Sequence, residues 1–210
     1  MGMSGKKIPI LAVIVPMKPL HLAKQRLRTA LTNEQREQLA LHMFEHVLAT
    51  ITHSRIATLA AVVSADDYML ALARLLGFTP VREDRQGYNR AVRQGVDWAL
   101  SEGADAVLIL PADLPQLTPA DLHALAGLAS RPGPVVAVAP DAHHRGTNAL
   151  LLRPPDVLSP SFGVDSFRRH CQIARDLGMI PAIFDSPSLS HDVDWPEDVQ
   201  YSDFPQMQHL

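Results

Sequence analysis

Cysteine is almost absent from this sequence. Cys171 stands alone, so no disulfide can close within the chain, and a reducing, cytoplasmic setting is expected. Aromatic residues are scarce too. At 5% of the sequence, they leave the core to Leu, Val, Ile and Ala. No excess of positive charge is present: the formal net charge is −3 and the pI is near 6.3. That argues against a nucleic-acid-binding surface, while leaving room for a local basic pocket. No apolar run approaches the roughly 18 residues needed to span a bilayer, so no membrane partner is expected. Also missing are a P-loop, a G-x-G-x-x-G fingerprint, a G-x-S-x-G elbow and a paired-cysteine zinc pattern. No repeat, low-complexity tract or linker divides the 210 residues, which suit one domain over 1–210 with a sizeable core. Residues 1–6 read as a loose leader. The apolar run behind Lys6 and Lys7 is short, Ile/Val-rich and followed by Pro-Met-Lys, which suits a buried strand better than a signal peptide.

What is present is an alternation of apolar runs and helical patterns. Ile8–Val15, Ile56–Val63, Ala106–Leu110 and Val135–Ala139 are apolar on both faces, as in parallel strands covered by helices. Thr32-Asn33-Glu34-Gln35 has capping-box form and opens a segment with Leu39, Met43, Val47 and Ile51 on one face. Thr118-Pro119-Ala120-Asp121 is a second helix start. Residues 66–76 end at Gly77, and residues 88–101 end near Gly103, both suited to helix C-termini. After residue 140, Gly146–Arg153 reads as a strand, Val164–Leu177 as a helix and Ile180–Phe184 as a strand. The order predicts an α/β Rossmann-like fold: a mostly parallel central sheet, helices on both faces, and an antiparallel edge extension. In such sheets ligands bind beyond the carboxyl ends of strands.

Five segments there can carry chemistry. Lys18, Lys24 and Arg26 follow the first strand. They suit a triphosphate and the charge that develops in phosphoryl transfer, or simply a solvated basic loop. Asp113 follows the third run between Pro111 and Pro115, where it can bind Mg²⁺ or serve as a turn residue. In His191-Asp192-Val193-Asp194 an extended backbone points Asp192 and Asp194 the same way. With Asp113 they would form a three-carboxylate Mg²⁺ cage; alternatively Asp194 caps a helix begun at Pro196, paired with Glu197. Arg145-Gly146-Thr147-Asn148 and Phe162-Gly163-Val164-Asp165-Ser166 pair glycine with hydroxyl residues. An acceptor's carboxylate or phosphate suits them, as does ordinary cap chemistry. Asn89, in the polar loop Glu83–Arg90, can contact a base or ribose, or simply sit near a helix start. His143-His144 reads as a polar turn and Cys171 as a packing residue.

Taken in order, Pro16–Leu20, Ala23–Leu27, Ala112–Pro115, Arg145–Asn148, Phe162–Ser166 and Asp192–Asp194 resemble one family over about residues 8–200. It is the 2-phospho-L-lactate guanylyltransferases, also called phosphoenolpyruvate guanylyltransferases, of coenzyme F420 biosynthesis. The resemblance implies GMP transfer from GTP to a small phosphorylated three-carbon acid: 2-phospho-L-lactate, phosphoenolpyruvate or 3-phosphoglycerate. It implies Mg²⁺ at Asp113, Asp192 and Asp194, and the acceptor's carboxylate at Thr147, Gly163 and Ser166. Lys18, Lys24 and Arg26 would stand near the phosphates and Asn89 on the nucleotide side. Here the loop reads Gly87-Tyr88-Asn89 rather than the more usual Gly-Leu-Asn. The resemblance is also compatible with a homodimer. A cytidylyltransferase of the same fold acting on a molybdopterin-like acceptor and a non-catalytic nucleotide-binding module are the alternatives.

Overall fold

The computed structural model describes residues 9–194 together with Pro196 and Asp198. The leader 1–6, Ile8, Glu197 and the tail 201–210 lie outside the described residues. Among the described residues seven strands form one sheet: β1 (Leu11–Pro16), β2 (Leu59–Ser64), β3 (Thr79–Arg82), β4 (Ala106–Ile109), β5 (Val135–Pro140), β6 (Thr147–Arg153) and β7 (Ala182–Ile183). Among the described residues six α-helices accompany them: α1 (Asn33–Ser54), α2 (Asp67–Leu75), α3 (Tyr88–Ser101), α4 (Pro119–Ala129), α5 (Ser166–Asp176) and α6 (Pro187–Ser190). The strand order is β3-β2-β1-β4-β6-β5-β7. All neighbours pair in parallel except β6, which runs antiparallel to both β4 and β5. The antiparallel strand expected at an edge therefore lies inside the sheet, and the rim strand β7 pairs parallel to β5.

The local signals explain the elements. Thr32 and Thr118 both close capping boxes, with Gln35 and Asp121. β1 is buried throughout and alternates between two cores. Leu11, Val13 and Val15 meet α1, α2, α4 and α6 on one face, while Ala12 and Ile14 meet α3 and α5 on the other. Each fully buried Leu, Ile or Val stabilises the fold by roughly 1.5–3 kcal/mol through loss of contact with water. Gly95 allows α3 to lie on the sheet: a Cβ there would stand 2.4 Å from Ile14 Cγ2 and 3.1 Å from Val63 Cγ2. β3 is an additional strand. Its sequence Thr-Pro-Val-Arg shows no apolar pattern, and Pro80 is tolerated because the strand is at the edge.

The chain leaves β1 toward β2 on one side and later returns, through α3, to β4 on the other. The switch point is thus between β1 and β4, where a crevice opens beyond the strand ends.

Candidate active site

That crevice is lined by the segments following β1 and β4. The chain after β1 makes two short 3₁₀ turns, Leu20–Leu22 and Gln25–Thr29, with Lys24 between them in a left-handed conformation (φ 52°). The turn brings Lys24 inward. Its side chain is only 6% exposed, and Nζ donates to Asp113 Oδ2 at 2.6 Å and Asp194 Oδ1 at 3.3 Å. Arg26 Nη1 donates to the other oxygen, Asp194 Oδ2, at 2.7 Å. Burial disfavours the Lys24 ammonium, but Asp113, then Asp194, outweigh it and hold its pKa above the ordinary value. Lys18 stands exposed on the rim of the same crevice.

Asp192 and Asp194 flank a pin. Val193 is fully buried in a small cluster with Leu27 and Leu31 of the basic segment and Leu39 and Met43 of α1. With Val193 turned inward, the two carboxylates turn into the groove that Asp113 also lines. The Asp194 carboxylate is spent on Lys24 and Arg26, while its backbone N–H donates to Asp198 Oδ2 at 2.9 Å. Burial, then the neighbouring Asp113 and Asp194, push the Asp192 carboxyl up to about 7. Further hydrogen bonds hold the segment before it. Ser186 Oγ and Ser188 Oγ donate to the two oxygens of Asp121 at 2.6 and 2.7 Å, and Asn148 Nδ2 donates to Leu189 O at 2.8 Å. Asn148 also lines the groove, whereas Asp121 supports it from behind. Sequence reasoning saw Asp121 only as a helix cap and gave Asn148 and Val193 no role.

Three hard carboxylates suit a divalent cation by charge and donor type, and Asp192 is raised by burial and then by the like charges of Asp113 and Asp194. Among the described residues, however, no three acids or histidines stand at metal-holding spacing. The ammonium of Lys24 sits on Asp113 and Asp194 instead.

Thr147, at the start of β6, and Ser166, at the start of α5, meet on the opposite wall, with Gly163 beside them at φ 122°. His170 organises them. The backbone N–H of Ser161 donates to its Nε2 at 2.9 Å, which assigns the proton to Nδ1. Nδ1 lies 3.1 Å from Thr147 Oγ1, and Ser166 Oγ donates to the same oxygen at 3.0 Å. Both lone pairs of Thr147 are then occupied, so its own O–H is available only as a donor, at the groove wall. His170 is fully buried; burial, then Arg169, lower its pKa to about 4, which keeps the ring neutral.

Asn89 has a different setting from the one expected. Its Nδ2 donates to Phe162 O at 3.0 Å, and its Oδ1 accepts from Phe162 N at 2.7 Å. Both ends of the amide therefore clamp the loop that carries Gly163. Tyr88, Phe162 and His170 stack edge to face behind that loop, at 5.3 and 5.2 Å between ring centres. His143 and His144 lie in a polar turn, and Cys171 is buried with its thiol pKa raised by burial. Among the described residues no helix is long and apolar enough to cross a membrane.

Comparison with known proteins adds a family. Residues 11–201 match the family model described as "Guanylyl transferase CofC like". A phosphoenolpyruvate guanylyltransferase of Rubrobacter xylanophilus is 42% identical over 89% of this chain and 90% of its own. A 3-phospho-D-glycerate guanylyltransferase of Colwellia psychrerythraea is 31% identical over 90% and 89%. Among solved structures, a nucleotidyl transferase from Methanothermobacter thermautotroptrophicus superposes with a TM-score of 0.68 at 15% identity, covering 92% of this chain and 96% of that one. A Mycobacterium tuberculosis glucosyl-3-phosphoglycerate synthase holding Mn²⁺ and UDP superposes with a TM-score of 0.59 at 12% identity, over 92% and 75%.

Proposed function

The chain belongs to the CofC-like guanylyl transferase family, and from that premise we propose that it transfers GMP from GTP to a small phosphorylated three-carbon acid, releasing pyrophosphate, in the route to coenzyme F420. The observation that carries the reading is the meeting of Lys24, Arg26, Asp113, Asp192 and Asp194 with the Thr147–Ser166 wall in one groove at the β1/β4 switch point. An oxygen of the acceptor's phosphate attacks the α-phosphorus of GTP, and the bond to the β-phosphate breaks as pyrophosphate leaves. The second pKa of a phosphate monoester is about 6, so this nucleophile is already ionised at neutral pH and no general base is needed.

The difficulty is bringing two polyanions together. Lys18, Lys24 and Arg26 offset their repulsion and hold the reacting groups in line. Asp113, Asp192 and Asp194 would hold Mg²⁺, which when bound supplies charge neutralisation at the phosphates. Lys24 acts as a placeholder: it neutralises Asp113 and Asp194, and a cation held by those acids would leave its ammonium to face the phosphates. The Thr147 O–H, directed by His170, and the Gly163 backbone N–H receive the acceptor's carboxylate, while Ser166 holds both in place, its N–H donating to Gly163 O at 3.0 Å and its Oγ to Thr147 Oγ1 at 3.0 Å. Asn89 acts by fixing Phe162 rather than by reading the base.

Pyrophosphate release should require GTP, Mg²⁺ and one of 2-phospho-L-lactate, phosphoenolpyruvate or 3-phosphoglycerate, with a partner enzyme capturing the product. Release with CTP and a pterin acceptor instead would support the cytidylyl alternative. No release with any nucleotide would leave a binding module.

A further inference from the structure

Two buried side-chain polar atoms have no hydrogen-bond partner among the described residues, Arg36 Nε and the Tyr88 hydroxyl. Arg36 is otherwise well used, donating to Ala23 O at 2.8 Å and Asn33 Oδ1 at 2.5 Å. Tyr88 has only the one polar atom. Leaving it unpaired costs about 1–3 kcal/mol, so its environment needs a reason.

The surroundings supply one. Tyr88 is the first residue of α3 and borders three adjoining hollows. One contains Lys24 and Asp113, one contains Lys18 and Gln86, and the third runs past Asp113 to Thr147 and Ser166. The ring is fixed edge-on against Phe162, 5.3 Å between centres, and Asn89 next in sequence clamps the Phe162 backbone. The hydroxyl is thus rigidly held where the nucleotide side and the acceptor side join. Burial, then the charge of Asp113, raise the phenol's pKa, so the group is neutral and able to donate. A neutral donor on a residue that lines hollows shared with Lys18 and Lys24 matches an anionic oxygen.

We propose that Tyr88 is a substrate ligand, its O–H donating a hydrogen bond to a phosphate oxygen of GTP or of the acceptor acid. The proposal rests on the guanylyltransferase reading for the identity of those two ligands.

Tyr88→Phe removes the oxygen and keeps the ring on Phe162. The test is calorimetric titration of wild type and Y88F with Mg·GTP and, separately, with phosphoenolpyruvate plus Mg²⁺, together with melting in chelator. Y88F should melt no lower than wild type, because an unpaired buried group is lost. One ligand should bind tenfold or more weakly, as for a lost hydrogen bond to a charged group, and the other within twofold; the affected ligand identifies the phosphate. Both affinities within twofold overturn the proposal. So does a lower melting temperature for Y88F, which would mean that the hydroxyl is held by the protein. Wild-type binding of neither ligand overturns this proposal and the functional reading together. A split in affinity without any GTP turnover sinks only the functional reading.

Discussion

Lys24→Met tests the central ion cluster. Methionine keeps much of the stem's length and meets the same left-handed backbone, so the charge is the main loss. Removing one partner of a buried ion pair costs about 3–5 kcal/mol. Here the Asp113 and Asp194 side chains are 29% and 37% exposed, and Arg26 remains on Asp194. Solvent and Arg26 therefore take up part of the loss, leaving about 2 kcal/mol. For a chain of this size that corresponds to a fall in melting temperature of about 4–8 °C in chelator. Since the Lys24 pKa is raised above 10.5, its contribution is complete below that value and is lost only at still higher pH. Removing the ammonium also raises the Asp192 carboxyl, which already stands at about 7, so the fall should be larger at pH 9, where that carboxyl must ionise, than at pH 7. Mg²⁺ should raise the melting temperature of the variant more than that of wild type, because wild type must first release Lys24 from the acids. Turnover should drop by about two orders of magnitude with the loss of a cation at the phosphates. An unchanged melting temperature in chelator, or equal gains on adding Mg²⁺, would refute the placeholder role.

His170 predicts a pH dependence. Its pKa in the folded chain is about 4 against 6.5 for an ordinary histidine, so its contribution is present above 6.5 and is lost as pH falls toward 4. Between pH 7.5 and 5 wild type should lose about 2 kcal/mol more than His170→Gln; parallel denaturation curves for the two would count against the buried neutral ring. Gly95→Ala should cost about 1–3 kcal/mol by forcing α3 off Ile14, measured by urea unfolding. Val193→Ala should cost about 2 kcal/mol and raise the Mg²⁺ concentration for half-maximal rate, because both flanking carboxylates lose their anchor; an unchanged requirement would show that Val193 only packs.

Much of the fold is legible before any coordinates. The four apolar runs show the parallel strands because such strands are buried on both faces, and Thr32 and Thr118 announce α1 and α4 because capping chemistry is local. β3 is hidden because Thr-Pro-Val-Arg is a half-exposed edge with no hydrophobic period. The interior place of β6 follows from tertiary pairing, which no local pattern encodes. In the site, Asp192 and Asp194 share a direction as extended spacing requires, and Thr147 meets Ser166. The contacts of Asn89 with Phe162, of Asn148 with Leu189 and of His170 with Thr147 span from 23 to 73 residues. Long-range hydrogen bonds of that kind leave no trace in spacing. The Arg145 side chain pairs with exposed Asp165 at 3.5 Å, a pair worth little.

The most direct test is product analysis by mass spectrometry after incubation with GTP, Mg²⁺ and each phosphorylated acid in turn, for wild type and Asp113→Ala. Wild type should form a GMP adduct of one acid with equimolar pyrophosphate, and the variant should form none while melting as a folded protein. An adduct formed by Asp113→Ala at a near wild-type rate, or no adduct from folded wild type with any of the three acids, would contradict the account.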